Sequence, residues 1–201
     1  MSKSVISLGE EMEVFPTPIT VVPNFLDKEE RNNLISYAKR NISFVDHPAL
    51  SDGSKSSHYT HKSVLSSYNI DLEKKIELEI IKVAKRMGLP DAVLDNSWIN
   101  IQTKNTILKI HNHNHSHISG AIYLKVDDDS SKLYFYNPNP YISMFSYENQ
   151  NKFNYEYICI QPQNGDLILF PSWLKHGSDD INKTKERMVL SFNGISKKKN
   201  E

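Results

Sequence analysis

The sequence predicts a mainly β protein of jelly-roll or barrel type with two helices packed outside it. Two early segments carry apolar residues at helical spacing, the chain from Ser97 onward alternates with a period of two, and Asn-, Pro-, Gly- and Ser-rich turns separate those short runs. A chain of 201 residues is long enough for one domain with a sizeable core. It is read as a single unit over 1–201, with helical support over about 27–90, a jelly-roll core over about 97–195 and a frayed tail over 196–201.

Charge is balanced, with 24 basic and 24 acidic residues, and the basic ones are scattered apart from Lys197-Lys198-Lys199. That argues against long nucleic acid as a partner. A single cysteine, Cys159, excludes an intrachain disulfide and favours a reducing compartment. The first thirty residues lack a basic segment followed by an apolar one, and no long apolar run follows. The expected location is the cytoplasm, with no membrane partner.

The first helix is expected over about 27–41. Asp27 with Glu30 forms a capping-box signature, and Leu34, Ala38 and Ile42 recur at helical spacing. In the second, Leu72, Ile76, Ile80, Val83, Ala84 and Met87 make one stripe, and Gly88 with Pro90 ends it. Strands are expected at Ser97 to Thr103, Thr106 to His113, Gly120 to Val126, Lys132 to Tyr136, Tyr155 to Gln161, Asp166 to Phe170 and Arg187 to Asn193. Two irregular stretches, Asp46 to Asn69 and Asn137 to Asn151, read as loops.

Within this frame, His111, His113, His115 and His117 stand at every second position, which in an extended strand turns four imidazoles to one face. Imidazole is a ligand for iron, copper, nickel and zinc, so this segment reads as part of a metal site. Gly165-Asp-Leu-Ile-Leu-Phe-Pro171 would form a turn and an apolar strand that bring His176 back over the sheet. In the last strand Arg187, Val189, Ser191 and Asn193 share one face while Met188, Leu190 and Phe192 take the other. A guanidinium with a hydroxyl further along is a fork for a carboxylate.

His-x-His, then five residues, then Ser119-Gly-Ala-Ile-Tyr-Leu124, later Phe170-Pro-Ser-Trp-Leu-x-His176 and Glu186-Arg-x-x-x-Ser-Phe-Asn193 together resemble the 2-oxoglutarate/Fe(II)-dependent oxygenases related to prolyl-4-hydroxylases. The resemblance runs from about Val14, where Val14-Phe-Pro-Thr-Pro18 looks like the family's opening strand, to Asn193. It implies a double-stranded β-helix and a cofactor set of Fe(II), 2-oxoglutarate and dioxygen. His111, His113 and His176 would be the metal ligands, with His113 standing where the family has an aspartate. Arg187, assisted by Ser191 and Tyr123, would bind the distal carboxylate of 2-oxoglutarate. The outcome implied is hydroxylation of a small-molecule or peptidyl substrate with release of succinate and carbon dioxide.

The resemblance leaves His115 and His117 in the turn beyond the ligands, and a loop carboxylate from Asp46, Asp52, Asp127, Asp128 or Asp129 could still join the metal. Tyr141, Phe145 and Tyr147 are candidates to close the mouth, with Trp98 or Asn100. His47, His58 and His61 read as ordinary loop residues, and Trp98, Trp173 and Phe170 as core. Two alternatives remain: a cupin-type three-histidine metal dioxygenase, because Gly165-Asp-x4-Pro171 and His176 resemble a cupin second motif, and a non-catalytic metal- or sugar-binding jelly roll.

Overall fold

A computed structural model describes residues 14–196. In chain order its elements are β1 (Thr20–Val22), α1 (Lys28–Asn41), β2 (Lys55–Ser56), α2 (Val64–Tyr68), α3 (Ile70–Arg86), β3 (Ala92–Thr103), β4 (Ile118–Lys125), β5 (Leu133–Tyr136), a 3-10 turn (Ile142–Met144), β6 (Tyr157–Ile160), β7 (Leu167–Pro171), β8 (His176–Gly177) and β9 (Glu186–Ser196).

The helices form where their caps and stripes require. Glu30 N–H donates to Asp27 Oδ1 at 2.8 Å and Asp27 N–H donates back to Glu30 Oε2 at 2.9 Å, so both partners of the capping box are made. Asn69 caps α3 by accepting from the N–H groups of Asp71 and Leu72, and Gly88, at φ +70°, lies just beyond its end. The buried stripe of α3, from Leu72 through Ile76 and Ile80 to Val83 and Ala84, packs with Leu34 and Ala38 of α1 against a sheet.

That sheet has six strands in the order β1-β7-β4-β9-β3-β2, and a smaller one has the order β6-β5-β8. Strand pairing is antiparallel throughout both. Alternation assigns the faces: Ile118, Ile122 and Leu124 of β4 and Met188, Leu190 and Phe192 of β9 meet the helices, while Ala121, Tyr123 and Val189 meet Leu133 and Phe135 of the smaller sheet. Every residue of β4 except Lys125 is buried, because one face lies under helices and the other inside the barrel. Gly120 stands opposite Phe192, where a Cβ would run into the ring, so glycine there makes room for the largest apolar side chain of β9. The result is the double-stranded β-helix expected, with its two longer helices outside.

Several boundaries differ from expectation. β3 begins at Ala92 because its first turn pairs with the end of β9, Ala92 opposite Ser196, and the expected opening strand at 14–18 is replaced by Thr20–Val22, which pairs with β7. The 46–69 stretch contains β2 and the short helix α2, whose cap is the Ser63 hydroxyl, a local signal too short for periodicity to reveal. The expected strand from Thr106 to His113 does not form. Its backbone bonds go alternately to the 49–51 segment and to 172–178, with Lys109 N–H donating to Ala49 O at 2.8 Å and His113 N–H to Ser172 O at 2.9 Å, leaving single bridges instead of a ladder. Cys159 is exposed on β6, and residues 197–201 of the expected tail lie outside the described residues. No described helix is long and apolar enough to cross a membrane.

Candidate metal centre and co-substrate pocket

His111 and His176 lie opposite each other across an antiparallel bridge, each N–H donating to the other's carbonyl at 2.9 Å. His113, two residues on, turns its ring to the same point. The three ring centroids stand 5.2, 4.4 and 5.1 Å apart, and one ligand nitrogen of each lies within 4.8 Å of the others. Such a cluster could hold a metal ion, and among the described residues it draws in no carboxylate. Of the loop aspartates that might have joined it, Asp46 pairs with Lys55 at 2.7 Å and Asp127 accepts from the Thr184 hydroxyl at 2.6 Å.

The hydrogen bonds fix the tautomers. Nδ1 of His111 lies 2.7 Å from Lys109 O, and Nδ1 of His176 lies 2.9 Å from Leu174 O. A carbonyl only accepts, so both Nδ1 atoms carry the proton and both Nε2 atoms present a lone pair. His113 Nδ1 lies 2.6 Å from Asn193 Oδ1, whose orientation is set because Asn193 Nδ2 donates to Asn96 Oδ1 at 3.1 Å. The Ser119 hydroxyl, 2.9 Å from the same Nδ1, donates to Asn193 Oδ1 at 2.8 Å. Burial is the main cause holding all three imidazoles neutral: His111 below the usual range, His113 down to about 4, and His176 well below. Neutral imidazoles with their outer nitrogens engaged are the state that binds a metal.

A cavity of about 520 Å³ opens from the triad. Arg187 lies on its wall, 4% exposed, with its guanidinium carbon 5.3 Å from the centroid of the Tyr123 ring. Arg187 donates through Nη1 to Gln102 Oε1 at 2.6 Å, while its Nε is buried without a partner. Among the described residues no carboxylate pairs with it; Glu186, its neighbour in sequence, takes Lys39 and Lys125 on the outer face, each at 2.9 Å. Burial raises the Tyr123 hydroxyl to about 12, so it stays protonated. Ser191, on the same face of β9, also lines the cavity. A buried cation lacking a counter-ion is costly, and it fits a pocket built for an anion.

The structure therefore brings His111, His113, His176, Arg187, Ser191 and Tyr123 to one cavity. His115 and His117 are exposed in and after a turn, and His117 Nδ1 is occupied by the Ser196 N–H at 3.1 Å; alternation along 111–117 ends at that turn. Three expectations fail. Tyr141, Phe145 and Tyr147 are exposed and stand away from the cavity. Its rim is instead formed by His47, Ala49 and His58 from the segment before α2, with Asp95 and Asn112 to Ser116. The His47 and His58 rings form an edge-to-face row with Trp98, His47 to His58 at 5.1 Å and His58 to the indole at 4.8 Å, and so belong to the cavity wall. Trp173 is 48% exposed and belongs to no core cluster, whereas Phe170 packs against His176 at 4.6 Å. Gln102 and Asn96 went unrecognised, although Trp98, Asn100 and Gln102 alternate on one face of β3.

Barrel, imidazole triad and buried arginine together define a double-stranded β-helix protein with a cluster that could hold a metal facing a buried cation. Residues 96–193, which carry the three imidazoles, Tyr123, Arg187 and Ser191, match the model of the family described as "Putative 2OG-Fe(II) oxygenase". No curated protein matches the sequence. The chain is similar in structure to HygX from Streptomyces hygroscopicus, solved with nickel and 2-oxoglutarate bound, at 13% identity over 90% of this chain and 83% of that one, with a TM-score of 0.59. It is also similar to a Pseudomonas putida prolyl-4-hydroxylase, at 13% identity over 90% and 93% with a TM-score of 0.59. The viral collagen prolyl hydroxylase of Paramecium Bursaria Chlorella virus-1, in its 2OG complex, shares 12% over 88% and 94% with a TM-score of 0.57. Identities this low show a shared fold.

Proposed function

We propose that the protein is an Fe(II)- and 2-oxoglutarate-dependent oxygenase that hydroxylates a small-molecule or peptidyl substrate in the cytoplasm. The observation that carries this reading is one cavity with two facing halves: three neutral imidazoles whose outer nitrogens are all engaged, and a buried arginine without a counter-ion.

His111, His113 and His176 would hold the metal through their inward nitrogens, and Arg187 with Ser191 and Tyr123 would hold the distal carboxylate of 2-oxoglutarate. Bound iron would supply redox chemistry coupling the oxidative decarboxylation of 2-oxoglutarate by dioxygen, to succinate and carbon dioxide, with oxidation of a substrate C–H bond. The chain's own part is geometric. The backbone carbonyls of Lys109 and Leu174 and the Asn193 amide keep each imidazole in its ligating tautomer. Tyr123 and Gln102 hold the guanidinium in place. Trp98, Phe170, Leu133 and Val189 line the cavity with apolar surface that excludes water from the reacting end, and the rim of His47, His58 and Asp95 is left to meet substrate.

The test is to incubate iron-loaded protein with 2-oxoglutarate under air and measure succinate. Turnover that disappears in Arg187→Ala and in His176→Ala supports the proposal. Metal retention with no dependence on 2-oxoglutarate would transfer the protein to the cupin-type dioxygenases.

A further inference from the structure

We propose that Gln102 is a positioning residue that keeps Arg187 aimed and fully charged for the co-substrate carboxylate. Its amide does so by supplying a neutral acceptor at a place where a carboxylate would cancel that charge. The inference rests on the oxygenase reading and adds a residue to its anion-binding end.

Gln102 and Arg187 are directly opposite in the β3–β9 register, 1% and 4% exposed. Arginine has only donors, so the short bond at 2.6 Å commits the Gln102 amide oxygen to Nη1 and turns its NH₂ away. That nitrogen is buried with no partner, as is Arg187 Nε. A side chain that leaves its own donor unsatisfied in order to present an oxygen here is held by its bond to Arg187. Exchanging that NH₂ for an oxygen would convert Gln102 to glutamate and give the buried guanidinium an ion-pair partner with no change of shape. The preceding residue on β9 shows the opposite arrangement, since Glu186 turns outward and takes two lysines. Glu186 is thus paired at the surface, whereas among the described residues no carboxylate forms an ion pair with the buried guanidinium and Asp180 acts on it only at a distance. Tyr123, the guanidinium's other neighbour, likewise brings no charge, its ring centroid lying 5.3 Å from the guanidinium carbon. Arg187 is consequently restrained by dipoles, in a water-poor pocket where its attraction for an incoming carboxylate is strong.

The test compares Gln102→Glu with the parent protein in three measurements. Metal-free Gln102→Glu should melt above the parent, because it gains a buried ion pair. Calorimetric titration of 2-oxoglutarate into Fe(II)-loaded protein without oxygen should show a dissociation constant raised by roughly 30-fold, the effect of disturbing a buried charge pair. Fe(II) affinity should be unchanged. 2-Oxoglutarate binding within about threefold of the parent overturns the proposal, provided Arg187→Ala abolishes binding. Should Arg187→Ala bind normally as well, the co-substrate assignment itself falls. If Gln102→Glu does not fold, Gln102→Leu serves: it removes the acceptor and should weaken 2-oxoglutarate binding while lowering the melting temperature, and unchanged binding again overturns the proposal.

Discussion

Asn193 Oδ1 accepts the Nδ1 proton of His113 at 2.6 Å, and this is the one imidazole of the triad aimed by another side chain; the other two are aimed by backbone carbonyls. Asn193→Ala should therefore weaken metal binding by roughly 10–100-fold, the usual effect of removing such a support. Competitive chelator titration would check it. An unchanged affinity would mean that the Ser119 hydroxyl, 2.9 Å from the same nitrogen, suffices alone.

Substitution should sort the histidines of the 111–117 run. His113→Ala is expected to lose stoichiometric metal and succinate formation, whereas His115→Ala and His117→Ala should keep both, because those two side chains are exposed and outside the triad. Metal content after dialysis distinguishes the cases.

The metal-free protein should lose stability in acid. Burial chiefly lowers His113 to about 4 in the folded chain, against an ordinary value of 6.5. The unfolded chain therefore binds a proton that the folded chain resists. The stabilisation is fully present above pH 6.5 and is lost as pH falls toward 4, in total on the order of 3 kcal/mol from this residue. His111 and His176 are shifted the same way and add to the effect. Calorimetric melting between pH 7 and pH 4 measures it, and a flat profile would contradict the buried neutral triad.

Gly120→Ala should destabilise the fold by about 1–3 kcal/mol, because the added Cβ meets the Phe192 ring. Phe192→Leu in the same background should recover part of that loss by freeing the space. Urea unfolding of the two variants checks both signs. Additive losses in the double variant would rule out the contact as the cause.

The sequence displayed its long periodic features well and its irregular ones badly. The stripe of α3 and the alternation of β9 predicted which side chains face the helices and which face the cavity, since each rests on a period repeated several times. The triad was legible because two of its histidines sit close together in sequence and the third follows an apolar strand. His47 and His58 were missed because nothing local marks a residue that reaches the site only through single bridges such as Val45–Ser56 and Leu50–Leu108. Gln102 was visible only as one of three polar or aromatic residues alternating on β3. Its importance depends on standing opposite Arg187, a register that the chain itself does not display. The aromatic loop misled for the opposite reason. Its composition suits a lid, but Tyr141, Phe145 and Tyr147 lie away from the cavity.

One strand, β9, carries Arg187 near its start and Asn193 six positions later. At about 3.3 Å per residue the two α-carbons are held roughly 20 Å apart on the same face. The strand thus works as a gauge with two marks, one for the arginine end of the cavity and one for the imidazole end. Losing or gaining a single residue between the marks would turn one of them toward the helices, because side-chain direction follows odd and even position. The two halves of the site therefore share a reading frame. Within β9 only changes by two, or compensating pairs, would keep both marks facing inward.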